Sequence, residues 1–179
     1  KDSALETQVE EALLGGATFV QLREKELDRE AIRQEALRMR DLCRKYQVPF
    51  VIDDEVELAL ETDADGVHIG QSDMALRDAR EQLGPEKIIG VSARTLEEAL
   101  EAEQNGADYL GVGAVFSTST KPDAADVSLE TLSSICRAVS IPVVAIGGIK
   151  KENLPELAGT GIAGVAVVSA IFAAPDIRK

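Results

Sequence analysis

DADGVHIGQ, residues 63–71, reads as one complete junction of a parallel α/β protein. An acidic segment that ends a helix passes through Gly66 into Val-His-Ile, then meets a glycine and a glutamine. Near-continuous apolarity without strict alternation is what a strand covered on both faces requires, and such strands belong to parallel sheets. The same grammar recurs in GGATFVQLRE (15–24), PFVIDD (49–54), KIIGVS (87–92), NGADYLGVG (105–113), IPVVAIGG (141–148) and TGIAGVAVVS (160–169). The segments between them read as helices. Over 27–46, Ile32, Ala36, Met39 and Cys43 repeat at spacings of three or four, and Asp28 precedes them as an N-cap. Thr95 with Glu98 forms a capping-box pattern before a helix that ends at Asn105-Gly106, and Ser128 opens the helix over 127–140.

Seven repeats of helix and buried strand predict an α/β fold, and polar residues after nearly every strand favour a closed (β/α)8 TIM barrel over a doubly wound sheet. A doubly wound sheet would gather its polar groups at one switch point. The chain opens within a helical pattern, KDSALETQVEEALLGG, and closes on SAIFAAPDIRK. The expectation is one barrel domain over residues 1–179, without its first strand and without part of its last helix.

Composition narrows the function. Of 179 residues, 19 are Lys or Arg and 32 are Asp or Glu, a net charge of −13. So acidic a chain disfavours nucleic acid and anionic membrane as partners. No apolar run is long enough for a membrane span. His68 is the single histidine, so a histidine-rich metal site is excluded. Cys43 and Cys136 are far apart in sequence and read as reduced thiols of a cytoplasmic protein.

The strand ends carry the chemistry. Gln21, Arg23, Glu24 and Lys25 follow the first visible strand. Arg23 and Lys25 alternate, so they point to one side, as partners for phosphate or as solvated charges. Asp54 and Asp73 end consecutive strands, and two carboxylates without nearby His or Cys suit Mg²⁺. Each alone would read as a helix cap or a surface charge. Ser117, Thr118, Ser119, Thr120 and Lys121 form a hydroxyl-rich loop closed by a cation. Gly147-Gly148 and Val168-Ser169 follow the last two strands, where this fold binds phosphate, although glycines there also serve tight turns. Between outward Val67 and Ile69, His68 points inward and reads as a packed, hydrogen-bonded core histidine. Ser92 has no histidine beside it in sequence and reads as a hydrogen-bonding group, not a nucleophile.

Together VQLREK (20–25), IDDEVELAL (52–60), ADGVHIGQSDM (64–74), IIGVSA (88–93), DYLGVGAVFSTSTKPDA (108–124), VAIGGI (144–149) and VVSAI (167–171) resemble the thiamine-phosphate synthase family through nearly the whole chain. That resemblance implies a (β/α)8 barrel that joins hydroxymethylpyrimidine diphosphate to thiazole phosphate with Mg²⁺. It implies that Gln21, Arg23 and Lys25 hold the pyrimidine diphosphate with Lys121, and that Leu22, Glu24 and Asp53 are among the substrate-binding residues. Asp54 and Asp73 would bind the metal, and Ser92 would contact the pyrimidine. Thr118, Ser119 and Thr120, with Gly148, Val168 and Ser169, would bind the thiazole phosphate. Arg23, Lys25, Ser92 and Lys121 would be the catalytic set.

Asp53 and Glu55 stand where the family has Asn and Arg, and Ala114 where it has Pro. Asp53 adds negative charge where a diphosphate would lie. Two other readings are a thiazole tautomerase of similar fold, although Arg94 stands where that enzyme has its histidine, and a non-catalytic phosphate-binding barrel. Assembly into a homo-oligomer is left open.

Overall fold

The computed structural model describes residues 5–71, 75–117 and 126–179. Helix α1 (Leu5–Leu14) leads into seven strands, β1 (Val20–Leu22), β2 (Phe50–Asp53), β3 (Gly66–Ile69), β4 (Ile88–Ala93), β5 (Tyr109–Val112), β6 (Val143–Ile146) and β7 (Gly164–Ala166). Helices α2 (Arg29–Lys45), α3 (Val56–Thr62), α4 (Leu76–Leu83), α5 (Leu96–Gln104) and α6 (Leu129–Ala138) alternate with them. A 3₁₀ turn (Leu154–Leu157) joins β6 to β7, and α7 (Ser169–Phe172) follows. All seven apolar runs are strands. Asp28, Thr95 and Ser128 each accept a hydrogen bond from the backbone N–H three residues on. The Glu98 carboxylate reaches back to the N–H of Arg94, one residue before the capping-box position.

Every neighbouring pair is parallel and the strands lie in chain order. Right-handed crossovers in unbroken order put every helix on one face of the sheet. The other face escapes water only if the sheet curls, and it does. Phe19, just before β1, meets Tyr109 of β5 edge-to-face with ring centroids 5.5 Å apart. Four flat strand spacings would separate them by about 19 Å. The curled sheet has β1 and β7 as its two edges. The α/β expectation holds in its coarser form: the described residues form a curled, all-parallel half-barrel of seven strands. Burial follows that shape, complete along β3 but partial on β1 and β7.

The stretch 63–71 shows how the N-terminal end is stitched. Asp63 closes α3 in the left-handed region, φ 51°. Its carboxylate takes Lys87 and Arg44, both at 2.7 Å. Asp65, just before β3, accepts the N–H of Phe50 at 2.8 Å, and Asp108, just before β5, accepts that of Ile89. Val67 and Ile69 are buried in the core, Met39, Cys43, Phe50 and Leu110 among its members. No helix among the described residues is long and apolar enough to cross a membrane.

Hydrogen bonds from Lys87 and Arg44 pull the Asp63 carboxyl from 3.8 down to about 2. A carboxyl depressed in the folded state stabilises above its unfolded value and loses that contribution as pH falls toward 2. Asp63→Asn is expected to flatten the loss of stability between pH 4 and pH 2, measured by urea unfolding across a pH series.

Candidate functional site

The C-terminal ends of β1 and β2 bring the cationic and acidic residues together. Asp53 is the last residue of β2, with a side chain only 11% exposed. It accepts a hydrogen bond from Gln21 Nε2 at 3.0 Å. Its other oxygen lies 3.5 Å from Arg23 Nε and 3.9 Å from Lys25 Nζ. Lys25 donates to Asp54 Oδ2 at 2.6 Å. Hydrogen bonding to Asp54, with the charges of Asp54 and Asp53 added, holds the Lys25 ammonium above its ordinary value. The extra negative charge at position 53 thus has a role: Asp53 gathers Gln21, Arg23 and Lys25 around one carboxylate.

Asp54 leaves the strand in the left-handed region, φ 63°, and its N–H is tied to the carbonyl of His68 at 2.8 Å. Non-glycine residues rarely take that conformation, Asp more readily than most. Here it turns the Asp54 carboxylate to Lys25, beside Asp53. Glu55 pairs with Arg29 of α2 at 3.2 Å, and Arg29 also reaches Glu57 and Glu61. The acid that replaces the expected arginine is therefore paired with α2. Leu22 has its side chain in the hydrophobic core, which leaves only its backbone for a ligand. Glu24 binds the N–H of Glu26 at 2.7 Å.

The second cluster lies on β3, β4 and β5. His68 is 8% exposed and both ring nitrogens are engaged. Nδ1 is 2.9 Å from the Tyr109 hydroxyl, and Nε2 is 2.8 Å from Ser92 Oγ. Gln71 donates to the Ser92 carbonyl at 2.8 Å. In register, Asp53, His68, Gly90 and Tyr109 sit side by side across four strands. Gly90 leaves the space that Tyr109 fills, because a Cβ there would lie 2.1 Å from Tyr109 Cζ. Burial, with the Asp53 charge added, pushes the Tyr109 phenol well above its ordinary value.

The histidine missing beside Ser92 in sequence is therefore present in space. Tyr109 did not stand out as a site residue in the sequence. The available signals were Gly90 opposite His68 and the alternation that turns residue 109 inward.

Gly147 and Gly148 follow β6 with φ 101° and 61°, and Gly148 accepts from Asn153 Nδ2. A Cβ on Gly148 would lie 2.4 Å from the Ser117 carbonyl. Val168 and Ser169 open α7 after β7 and are exposed. The order β5–β6–β7 puts these two segments on neighbouring strands. Asp73, Thr118, Ser119, Thr120 and Lys121 lie outside the described residues. Among the described residues no group of three or more His, Cys, Asp or Glu is arranged to hold a metal. Among the described residues, Asp53 and Asp54 offer carboxylate oxygens at the end of β2.

The family model for thiamine monophosphate synthase matches residues 1–171. A thiamine-phosphate synthase of Clostridium acetobutylicum is 53% identical over 178 residues, covering 99% of this chain and 84% of that protein. One from Ruminiclostridium cellulolyticum is 53% identical over 175 residues, covering 98% and 83%. The structure of a thiamine phosphate pyrophosphorylase from Pyrococcus furiosus superposes with a TM-score of 0.91 at 47% identity, covering 98% of this chain and 85% of that one.

Asp53→Asn keeps an acceptor for Gln21 but frees Arg23 and Lys25 of one competing charge. Arg23 and Lys25 are 46% and 52% exposed, so water screens their pairs with Asp53 to about 1 kcal/mol, and affinity for inorganic diphosphate without added metal is expected to rise about fivefold by calorimetry.

Proposed function

The chain belongs to the thiamine monophosphate synthase family, whose members are transferases, and from that premise we propose which of its residues carry the pyrimidine transfer and how. The observation that carries the reading is the cluster of Gln21, Arg23 and Lys25 on Asp53 and Asp54 at one strand-end mouth. In the free protein the two carboxylates hold the cations extended and ready. An incoming diphosphate group competes for Arg23 and Lys25, whose donors then turn from carboxylate to phosphate oxygen. Lys121 is proposed as a third cation for the same group.

Asp54 and Asp73 are the proposed ligands of Mg²⁺. The donor chemistry fits: Asp54 offers carboxylate oxygen, and a cation, the Lys25 ammonium, already lies against it. Bound Mg²⁺ would neutralise charge on the leaving diphosphate. The chain's own part is electrostatic and positional. Arg23, Lys25 and Lys121 stabilise the negative charge that builds on the departing oxygen as the carbon–oxygen bond of the pyrimidine methylene breaks. The electron pair leaves with the diphosphate, and the methylene carries the positive charge. The thiazole nitrogen lone pair then forms the new carbon–nitrogen bond. Thr118, Ser119 and Thr120, with Gly148, Val168 and Ser169, would hold the thiazole phosphate so that this nitrogen lies close to the cation. Ser92 would bind the pyrimidine. No side chain need act as a nucleophile, consistent with a chain whose single histidine is buried between Ser92 and Tyr109.

The test is a coupling assay with hydroxymethylpyrimidine diphosphate and thiazole phosphate, with and without Mg²⁺. Lys25→Gln and Asp54→Asn are each expected to lower turnover roughly a hundredfold or more while thermal unfolding stays cooperative. Full turnover in both variants, or in excess chelator, would refute the assignment.

A further inference from the structure

We propose that Tyr109 and His68 form a positioning relay that locks His68 in its Nε2–H tautomer and so leaves the Ser92 hydroxyl to donate toward substrate. This rests on the reading of Ser92 as a pyrimidine contact.

The argument starts at Tyr109. Its hydroxyl lies in a part-buried setting, 2.9 Å from His68 Nδ1, its hydrogen-bond partner among the described residues. Its ring is held by Phe19 on one side and by the space over Gly90 on another. A phenol O–H has one proton, and leaving that proton without an acceptor costs about 1–3 kcal/mol. If Nδ1 carried a hydrogen, Tyr109 would have to accept from it, and its own proton would have no acceptor among the described protein groups. With Nδ1 bare, Tyr109 donates and the cost disappears.

The neutral imidazole then carries its hydrogen on Nε2. Nε2 is 2.8 Å from Ser92 Oγ, so it donates there and Ser92 accepts. The serine proton is thereby turned away from the imidazole. Ser92 itself is fixed from behind, because Gln71 binds its carbonyl at 2.8 Å. The opposite tautomer would reverse each hydrogen bond and bind the serine proton to the imidazole. Neither His68 nor Tyr109 needs to touch the substrate, and no proton is transferred.

One histidine in the chain makes the relay directly readable. Nitrogen-15 spectra of the histidine-labelled free protein at pH 8.5 are expected to show Nδ1 unprotonated and Nε2 protonated. A protonated Nδ1, alone or in a doubly protonated ring, would overturn the relay and leave the proposed function untouched. Tyr109→Phe keeps the ring that fills the space over Gly90 and removes only the hydroxyl. It is expected to lower kcat/KM for the pyrimidine diphosphate about five- to tenfold. KM for thiazole phosphate should stay unchanged.

In a Ser92→Ala background the same substitution should cost nothing further. A purely structural role would instead give additive losses, or a shift in both KM values, and either result overturns the relay. If Ser92→Ala alone leaves the pyrimidine kinetics intact, the reading of Ser92 as a substrate contact fails, and the relay's role in binding fails with it. If the parent protein couples no substrates, the proposed function fails, while the nitrogen-15 result still reports whether the tautomer is locked.

Discussion

Because every crossover lays its helix on the same side of the sheet, the inner face has no second layer to cover it. Curling is the only way to dry that face, and it brings side chains from distant strands into contact. Phe19 before β1 touches Tyr109 on β5, and Tyr109 reaches His68 on β3 across the space over Gly90. The inward row Asp53, His68, Gly90 and Tyr109 thus serves as core and as the floor of the mouth. A bulkier residue at 90 would displace the Tyr109 ring, and with it the groups that meet Ser92.

The same curl bears on how an acidic chain could offer the proposed anion site. The net charge of −13 is carried largely by carboxylates elsewhere, many with local work of their own. Asp63, Asp65 and Asp108 tie helices to strand starts at the N-terminal end, and Glu103 caps the turn before β6 through Ser140. At the mouth the balance differs. Among the described residues, Asp53 and Asp54 face Arg23 and Lys25, so these four charges balance and the two cations are already held. Side chains that are already held lose less freedom when a ligand binds.

Much of this was visible in the chain. The seven strands, the caps at Asp28, Thr95 and Ser128, and the inward aspect of His68 follow from periodicity and from contacts within a few residues. The motif residues at the ends of β1 and β2 were also identifiable, because strand ends are set by local sequence. How far the sheet closes on itself is not legible there. The local grammar of repeated strand and helix is shared by closed and open sheets, and only strand pairing distinguishes them.

What the sequence could not carry is the set of partnerships across strands. Asp53 looked like a misplaced charge, yet it organises Gln21, Arg23 and Lys25 from a neighbouring strand end. Ser92 looked remote from any histidine, yet His68 lies against it, 24 residues away in sequence. Nothing in the local sequence marks Tyr109 as a site residue. Such contacts depend on register and curvature, which are set by how the whole sheet closes over its inner face and not by any local stretch of residues. Strand, helix and cap were therefore written in the local sequence, while the pairing of the site's charges and the contact between His68 and Ser92 were settled only when the sheet curled.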